Sequence, residues 1–342
     1  MRTLFILFLS VCLGGCVQAQ ESRDLYLTKS LSGENIKNVE VTTSGGSITV
    51  EDSESAQSKV EVYVRSGNGR NLDREEIKER LEENYNLDIL ISGSKLTVTA
   101  KPKHNLNWRN NLSISFKVYV PGNISSHLRT SGGSIHLKGL SGNQDFATSG
   151  GSLHLDQLIG SINGRTSGGS IHVSNSSDQL DLRTSGGSIE AGNCHGDITL
   201  ATSGGSIRLD GLEGSVNATT SGGSINGNDI KGELLAHTSG GSIELQRISG
   251  SLDAGTSGGK VVAELIALGD YLKLSTSAGG IDLSLPGGGG MDLDIRANKI
   301  NVGKLSDFNG TMEEDHIEGQ LAGGGIPIEL RASSGTINLD WK

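Results

Sequence analysis

Hydrophobic residues recur at fixed positions of an 18-residue repeat in the middle of the chain. We number each repeat from the Thr of a Thr-Ser-Gly-Gly motif, which is position 1. Position 6 is Ile, Leu or Val, position 8 is mainly aliphatic, and position 7 between them is mostly polar. Alternation with a period of two is typical of a strand with one buried face. Position 15 is again largely aliphatic, so the pattern predicts two short strands in each repeat.

The repeat predicts a parallel β-solenoid, an all-β fold in which every 18-residue coil lies on the one before it. We place the solenoid at residues 125–342, with regular coils at 130–275 and irregular coils at 276–342. An earlier copy of the motif begins at Thr43, and degraded copies begin at Thr276 and Ser333. The regular copies begin at Thr130, Thr148, Thr166, Thr184, Thr202, Thr220, Thr238 and Thr256.

The Thr of each motif continues the inward alternation of the strand before it. We therefore expect a buried column of Thr side chains whose hydroxyls bond one another along the rod. The Gly-Gly pair predicts a corner where positive φ or close backbone contact excludes a Cβ. A further Gly recurs at position 13 and predicts a second corner.

Residues 20–124 predict an N-terminal β segment that contains one helix, at 73–85. Asp73 and Glu76 form a capping box, and Ile77, Leu81 and Tyr85 recur on one helical face. We expect this small α/β insertion to cap one end of the rod, because an uncovered end would expose strand edges.

The first residues resemble an export signal, with Arg2 followed by an apolar stretch too short to span a bilayer. Two cleavage sites compete. Leu13-Gly14-Gly15-Cys16 resembles a lipoprotein box, which would remove residues 1–15 and make Cys16 a lipid-bearing N-terminus. Ordinary cleavage after Ala19 would remove residues 1–19. Either way Cys194 has no disulfide partner in the mature chain, and its aliphatic column predicts a buried thiol.

Charge and composition exclude some classes of partner and of fold. The formal net charge is −10 and no basic run occurs, which argues against nucleic acid as a partner. Aromatic residues make up 4% of the chain and Gly accounts for 51 residues, which suits a thin stacked core better than a thick one.

The early Thr-Ser-Gly-Gly-Ser-Ile copy, the Val118-Tyr119-Val120-Pro121 segment before the repeats and the closing Ser-Ser-Gly-Thr-Ile resemble the adhesin-like "toastrack" β-strand-repeat family. The resemblance covers essentially the whole mature chain. It implies a bacterial envelope β-solenoid of largely unassigned role, and it offers no catalytic residues to transfer. This chain has Ser-Gly-Gly-Ser where many relatives have Ser-Ser-Gly-Asp, so its corners are less acidic.

Position 7 carries the sharpest chemical signal, because His136, His154 and His172 occupy successive coils and Glu190 follows. Such a ladder is a weak candidate for Zn²⁺, and a solvent-facing row of copied residues is the favoured alternative. Position 16 holds an oxygen-rich row, a still weaker Ca²⁺ candidate because its members lie on a strand rather than in a turn. An ice-binding Thr array is disfavoured because the Thr should be buried. The row at position 16 comprises Asp145, Asn163, Asp181, Asn217 and Asp253.

The sequence therefore predicts a non-enzymatic scaffold of the cell envelope that needs no cofactor and binds an unknown envelope protein or a surface glycan. It would contact the membrane through its lipid anchor only, in the periplasm or on the cell surface, or would be soluble if unlipidated. A carbohydrate-active enzyme on a β-helix is the alternative, although no convergent titratable cluster is visible. A module that assembles end to end is a third possibility.

Overall fold

The protein is described from a computed structural model that covers residues 24–104, 111–303 and 305–341. The expected export signal and Cys16 lie outside these residues. The described chain is mostly strand with one α-helix, α1 (Arg74–Asn84), and one short 3-10 turn. The all-β class is confirmed. The strands are β1 (Leu25–Ser30), β2 (Asn38–Thr43), β3 (Ile48–Asp52), β4 (Lys59–Ser66), β5 (Tyr85–Ser92), β6 (Lys95–Pro102), β7 (Leu112–Val120), β8 (Ser125–Arg129), β9 (Ile135–Lys138), β10 (Gln144–Ala147), β11 (Leu153–Asp156), β12 (Ile159–Arg165), β13 (Ile171–Ser174), β14 (Ser177–Arg183), β15 (Ile189–Gly192), β16 (His195–Thr202), β17 (Ile207–Thr220), β18 (Ile225–Thr238), β19 (Ile243–Thr256), β20 (Val261–Thr276), β21 (Ile281–Leu285), β22 (Met291–Val302), β23 (Phe308–Met312), β24 (His316–Leu321) and β25 (Ile326–Trp341).

Parallel pairing between successive coils builds the rod. Leu153 pairs with Ile171, Ile171 pairs with Ile189, and Ile189 pairs with Ile207, each a step of 18 residues. The second strand of the coil keeps the same step, as in the pairing of Ile162 with Leu180. Equivalent side chains therefore lie one above another, about 4.8 Å apart.

The aliphatic columns form the core. Ile135, Ile189 and Ile243 at position 6 are fully buried, and so is Leu234 at position 15. Position 11 also faces inward, and its column includes Leu212. Each coil contributes only a few such side chains, so the core is continuous along the rod but thin across it.

The coil has one more turn than the sequence analysis predicts. The residue at position 10 adopts positive φ, with values of 51° at Asn175, 52° at Asn193 and 65° at Gly211. Gly, Asn and Asp tolerate this left-handed conformation best, and they are common at position 10. Their enrichment was the overlooked signal for this corner. The Gly at position 13 also has positive φ, for example 113° at Gly196.

The Gly-Gly corner depends on close backbone approach. A Cβ added to the second Gly, as at Gly187, would lie closer than 3.0 Å to the carbonyl oxygen of Gly169 in the preceding coil. A Cβ on the first Gly, as at Gly186, would be 3.5 Å from the nearest atom, which is ordinary contact. Position 4 is therefore Gly because the coils touch there.

The Thr column is buried, but its hydroxyls do not bond one another, so that expectation is wrong. Thr184 Oγ1 donates to the carbonyl of Gly169 at 2.8 Å and accepts from the N–H of Gly187 at 3.3 Å. The same arrangement recurs at Thr202. Stacked side chains about 4.8 Å apart are too distant for a hydroxyl–hydroxyl bond, whereas the Gly carbonyl of the neighbouring coil is within reach.

Spatial order differs from chain order at the N-terminal end. The early copy in β2 and β3 lies directly on the first regular coil, with Ile48 paired to Ile135. On its other side β3 pairs with β7 and β2 pairs with β6, so the segment between them in sequence forms an outer coil. Antiparallel strands β4, β1 and β5 complete this end.

Helix α1 ends one residue earlier than the sequence analysis predicts. Asp73 caps it by accepting from the Glu76 N–H at 2.8 Å. Tyr85 instead begins β5, where its buried hydroxyl donates to Asn111 and accepts from the Leu112 N–H. These bonds fix Tyr85 in an extended conformation, which overrides its helical spacing.

The C-terminal end mirrors this arrangement. Strand β25 pairs with β20 and β21 on one side and with β22 on the other. The last coil of the chain is thus enclosed between two others, and antiparallel β24 and β23 lie outside it. The register step is also no longer 18, because Val261 pairs with Ile281. Enclosure of the terminal coils protects them from fraying.

The two Gly of one corner give a matched test of this stacking. Gly187→Ala should lower the free energy of unfolding by about 3 kcal/mol, because the new Cβ meets backbone that cannot rotate away. Gly186→Ala should change it by less than about 1 kcal/mol, because its Cβ has room. Urea unfolding followed by circular dichroism measures both. Equal effects at the two positions would contradict the close approach at position 4.

Candidate functional site: the outward side chains of the solenoid

The outward face at positions 7 and 9 carries the side chains that are best suited to bind a metal or another ligand. Parallel pairing aligns Thr49, His136, His154 and His172 in one row along β3, β9, β11 and β13. The row continues through Glu190 on β15. The backbone register alone therefore brings these residues together.

The three imidazoles form a stack. The ring centroids of His136 and His154 are 4.6 Å apart with an interplanar angle of 6°, and those of His154 and His172 are 5.2 Å apart at 7°. Their nitrogens therefore lie in nearly parallel planes, and the in-plane lone pairs do not converge on one point. Glu190 Oε2 lies 3.1 Å from His172 Nδ1, so it pairs with one end of the stack. Among residues 24–104, 111–303 and 305–341, no group of three His, Cys, Asp or Glu could hold a metal ion. The stacked geometry does not support the Zn²⁺ hypothesis.

The stack disfavours protonation. Burial lowers the pKa of His136 below its ordinary value, and the charges of His154 and Lys117 lower it further. Burial and the neighbouring His172 likewise lower the pKa of His154. A positive charge on one ring opposes a charge on the next, and burial removes water that would stabilise either.

The carboxylates of the oxygen-rich row at position 16 form ion pairs. Asp145 lies 2.9 Å from His127 Nδ1 and 2.8 Å from Arg129 Nη2. Asp181 pairs with Arg183 at 2.7 Å. Cations of the same face thus already neutralise these carboxylates, which favours a polar surface over the Ca²⁺ alternative.

Cys194 is buried, as its aliphatic column predicts. Its side chain is 1% exposed, and its Sγ lies 3.3 Å from the Gly192 carbonyl oxygen. Burial raises the pKa of the thiol, which disfavours the reactive thiolate. The neighbouring His195 is exposed and points to the opposite side of the strand.

A polar depression that the sequence analysis missed begins two coils beyond His172, on the same face. Arg208, Asn226 and Glu244 follow one another at position 7, and the short Asn226 leaves a gap between its longer neighbours. The depression has a volume of about 550 Å³. Asp210, Asn228 and Gln246 at position 9 border it. The sequence signal for the depression is the Asn-Gly-Asn segment at 226–228, whose short side chains interrupt the row of longer ones on this face.

Within the part of the chain that the structure describes, no helix is both long and apolar enough to cross a bilayer.

The lowered pKa values make stability depend on pH. Because the unfolded imidazoles titrate near 6.5 and the folded His136 and His154 titrate lower, the unfolded chain binds more protons as pH falls through that range. The urea midpoint should therefore decrease on acidification from pH 7.5 to 5.5. His136→Gln/His154→Gln should reduce this decrease, whereas the exposed control His195→Gln should not. A pH dependence identical in all three proteins would contradict the burial of the stack.

Comparisons with known proteins found a family model and solved structures. A family model described as Toastrack DUF4097 matches residues 94–340. A crystal structure of a candidate cell adhesion protein from Clostridium sporogenes is 12% identical, covering 92% of this chain and 98% of that one with a TM-score of 0.19. A candidate adhesin from Bacteroides fragilis is 11% identical, with coverage of 92% and 96% and a TM-score of 0.25. No protein of curated function matches. Since the family model spans most of the chain, this protein belongs to the Toastrack DUF4097 family.

Proposed function

We propose that this protein is a non-enzymatic scaffold of the bacterial cell envelope that presents a rigid, polar face to a partner on the cell surface. The observation that carries the proposal is the fixed register of the outward rows. Side chains such as His154, Arg208 and Glu244 are held in one line by consecutive parallel strands. A ladder of this kind offers many evenly spaced contacts to an extended ligand.

Several features favour binding over catalysis. An enzyme site requires acids, bases or nucleophiles that converge on a reacting atom. Here the imidazoles stack in parallel, Cys194 is buried, and the carboxylates at Asp145 and Asp181 are paired. The family itself has no assigned activity. A surface glycan is the favoured partner, because the outward rows are rich in carboxylates, amides and guanidinium groups.

Binding to whole envelopes tests this function. The purified chain should cosediment saturably with cell envelopes of the bacterium that produces it, and periodate oxidation of the envelope glycans should abolish this binding. Protease treatment of the envelopes should not. Loss of binding after protease alone would make the partner a protein, and absence of saturable binding would refute the scaffold role.

The enzymatic alternative gives a different result in the same experiment. A carbohydrate-active enzyme would release new reducing ends from the envelopes over time. We expect the amount of reducing sugar to stay at the level of a control without protein. Continued release would replace the binding function by a hydrolytic one.

Anchoring to the membrane through Cys16 is part of this proposal. The lipoprotein box of the sequence favours it, and Cys16 lies outside the described residues. The mature protein should carry the mass of a chain that begins at Cys16 plus its lipid, and Cys16→Ser should lose the lipid and leave the membrane fraction. Intact mass spectrometry of the wild-type protein decides the matter. A lipid-free chain that begins at Gln20 would exclude the anchor.

A further inference from the structure

The polar depression at Arg208, Asn226 and Glu244 is a feature of the outer surface and not a defect of the core. Gly227, on the inward side of the same strand, stands where other coils have an aliphatic side chain. The space beside it is filled, because an added Cβ would lie 2.8 Å from Leu245 Cδ2 and 2.9 Å from Ile230 Cδ1. The core therefore stays packed beneath the depression.

Most polar groups around the depression hold one another in place. Asn228 Nδ2 donates to Asp210 Oδ1 at 2.7 Å, and Gln246 Nε2 donates to Glu244 Oε1 at 3.3 Å. At one border, Arg247 Nε donates to Asp229 Oδ1 at 2.6 Å. These bonds preorganise the lining, so a ligand need not order it on binding.

Arg208 and Asn226 differ from their neighbours. Neither side chain has a hydrogen-bond or ion-pair partner among residues 24–104, 111–303 and 305–341. Arg208 thus presents a planar set of N–H donors, and Asn226 presents one donor group and one acceptor at the bottom of the gap. The two unused groups lie on adjacent coils and face the same space.

The lining restricts the chemistry of the ligand. The lining holds Arg208 and Arg247 as well as Asp210 and Glu244, so its formal charges balance and it does not favour a ligand of high charge density of either sign. Hydroxyl groups both donate and accept, so they satisfy carboxylates, amides and guanidinium together. No aromatic side chain lines the depression, so recognition here depends on hydrogen bonds rather than on stacking. A volume of about 550 Å³ is within the range of small-molecule sites.

We propose that this depression binds an acidic saccharide through a single carboxylate, the rest of the sugar being uncharged. The carboxylate accepts from the guanidinium of Arg208, and the sugar hydroxyls bond Asn226 and Glu244. A planar guanidinium matches a carboxylate with two parallel hydrogen bonds, which selects a uronic acid over a neutral sugar. The inference rests on the proposed binding function and names the class of saccharide and the place where it binds.

Calorimetric titration with methyl glucuronide, and with methyl glucoside as the neutral sugar of the same ring, tests the proposal. Methyl glucuronide should bind about tenfold more tightly than methyl glucoside, and Arg208→Gln should remove that preference. Asn226→Leu should weaken binding of both sugars, because Leu keeps the shape of Asn but removes its amide donor and acceptor. Arg165→Gln and Asn163→Leu are matched controls, because both residues lie on β12 at outward positions away from the depression, and they should bind as the wild type does.

The outcomes separate this inference from the proposed function. Equal affinity for the two sugars, or unchanged binding by Arg208→Gln, would overturn it. No binding of either sugar would overturn it too, even if envelopes still bind the protein. In that case the scaffold function would stand with a ligand site elsewhere. Loss of binding in the two control variants as well would show that binding is not located at the depression.

Discussion

Contact between the backbones of successive coils at the Gly-Gly corner is the constraint on which the rest of the structure depends. The second Gly of each motif lies against the Gly carbonyl of the coil before it, at a distance that leaves no space for a Cβ. The Thr hydroxyl of the same motif bonds that same carbonyl and also accepts from the Gly N–H of its own coil. One short motif thus sets both the spacing and the register of the coils.

The fixed register explains how so thin a core can be stable. Every aliphatic column is continuous because each side chain lies on its equivalent in the next coil, and buried backbone groups are paired between coils. The ends need a separate solution, since an exposed strand edge invites association. At both ends an outer layer encloses the terminal coil, through β6 and β7 at one end and β22 at the other. At the N-terminal end, Lys29 on β1 also donates to the Ile89 carbonyl of β5 at 2.8 Å, which joins these two strands.

The sequence predicts those parts of the fold that repeat. The inward columns, the buried Thr and the buried Cys194 follow from alternation, which depends only on local strand geometry. The direction of the Thr hydroxyl does not follow, because it depends on which backbone carbonyl the neighbouring coil presents. The position of β25 between β22 and the coil of β20 and β21 does not follow either. There the chain returns to pair with an earlier coil, and such a return produces no repeated spacing in the sequence.

The candidate site shows the same division. The row of His136, His154 and His172 is visible from spacing alone, but the parallel stacking of the rings is a property of their side-chain conformations. The depression at Asn226 appears only when the lengths of side chains on adjacent coils are compared. Both features depend on the register that aligns equivalent positions of successive coils. At the depression, this register places one short side chain between two longer ones and so leaves a gap.

Distances along the rod test this account most directly. Spin labels at Asn163 and at Leu235, which lie four coils apart in the same outward row, should be separated by about 19 Å. Moving the second label to Asp253, one coil further, should add about 4.8 Å. Pulsed electron–electron double resonance measures both distances. An equal increment for each added coil is the predicted result, and a distance that stays constant or decreases when a coil is added would contradict the stacked register.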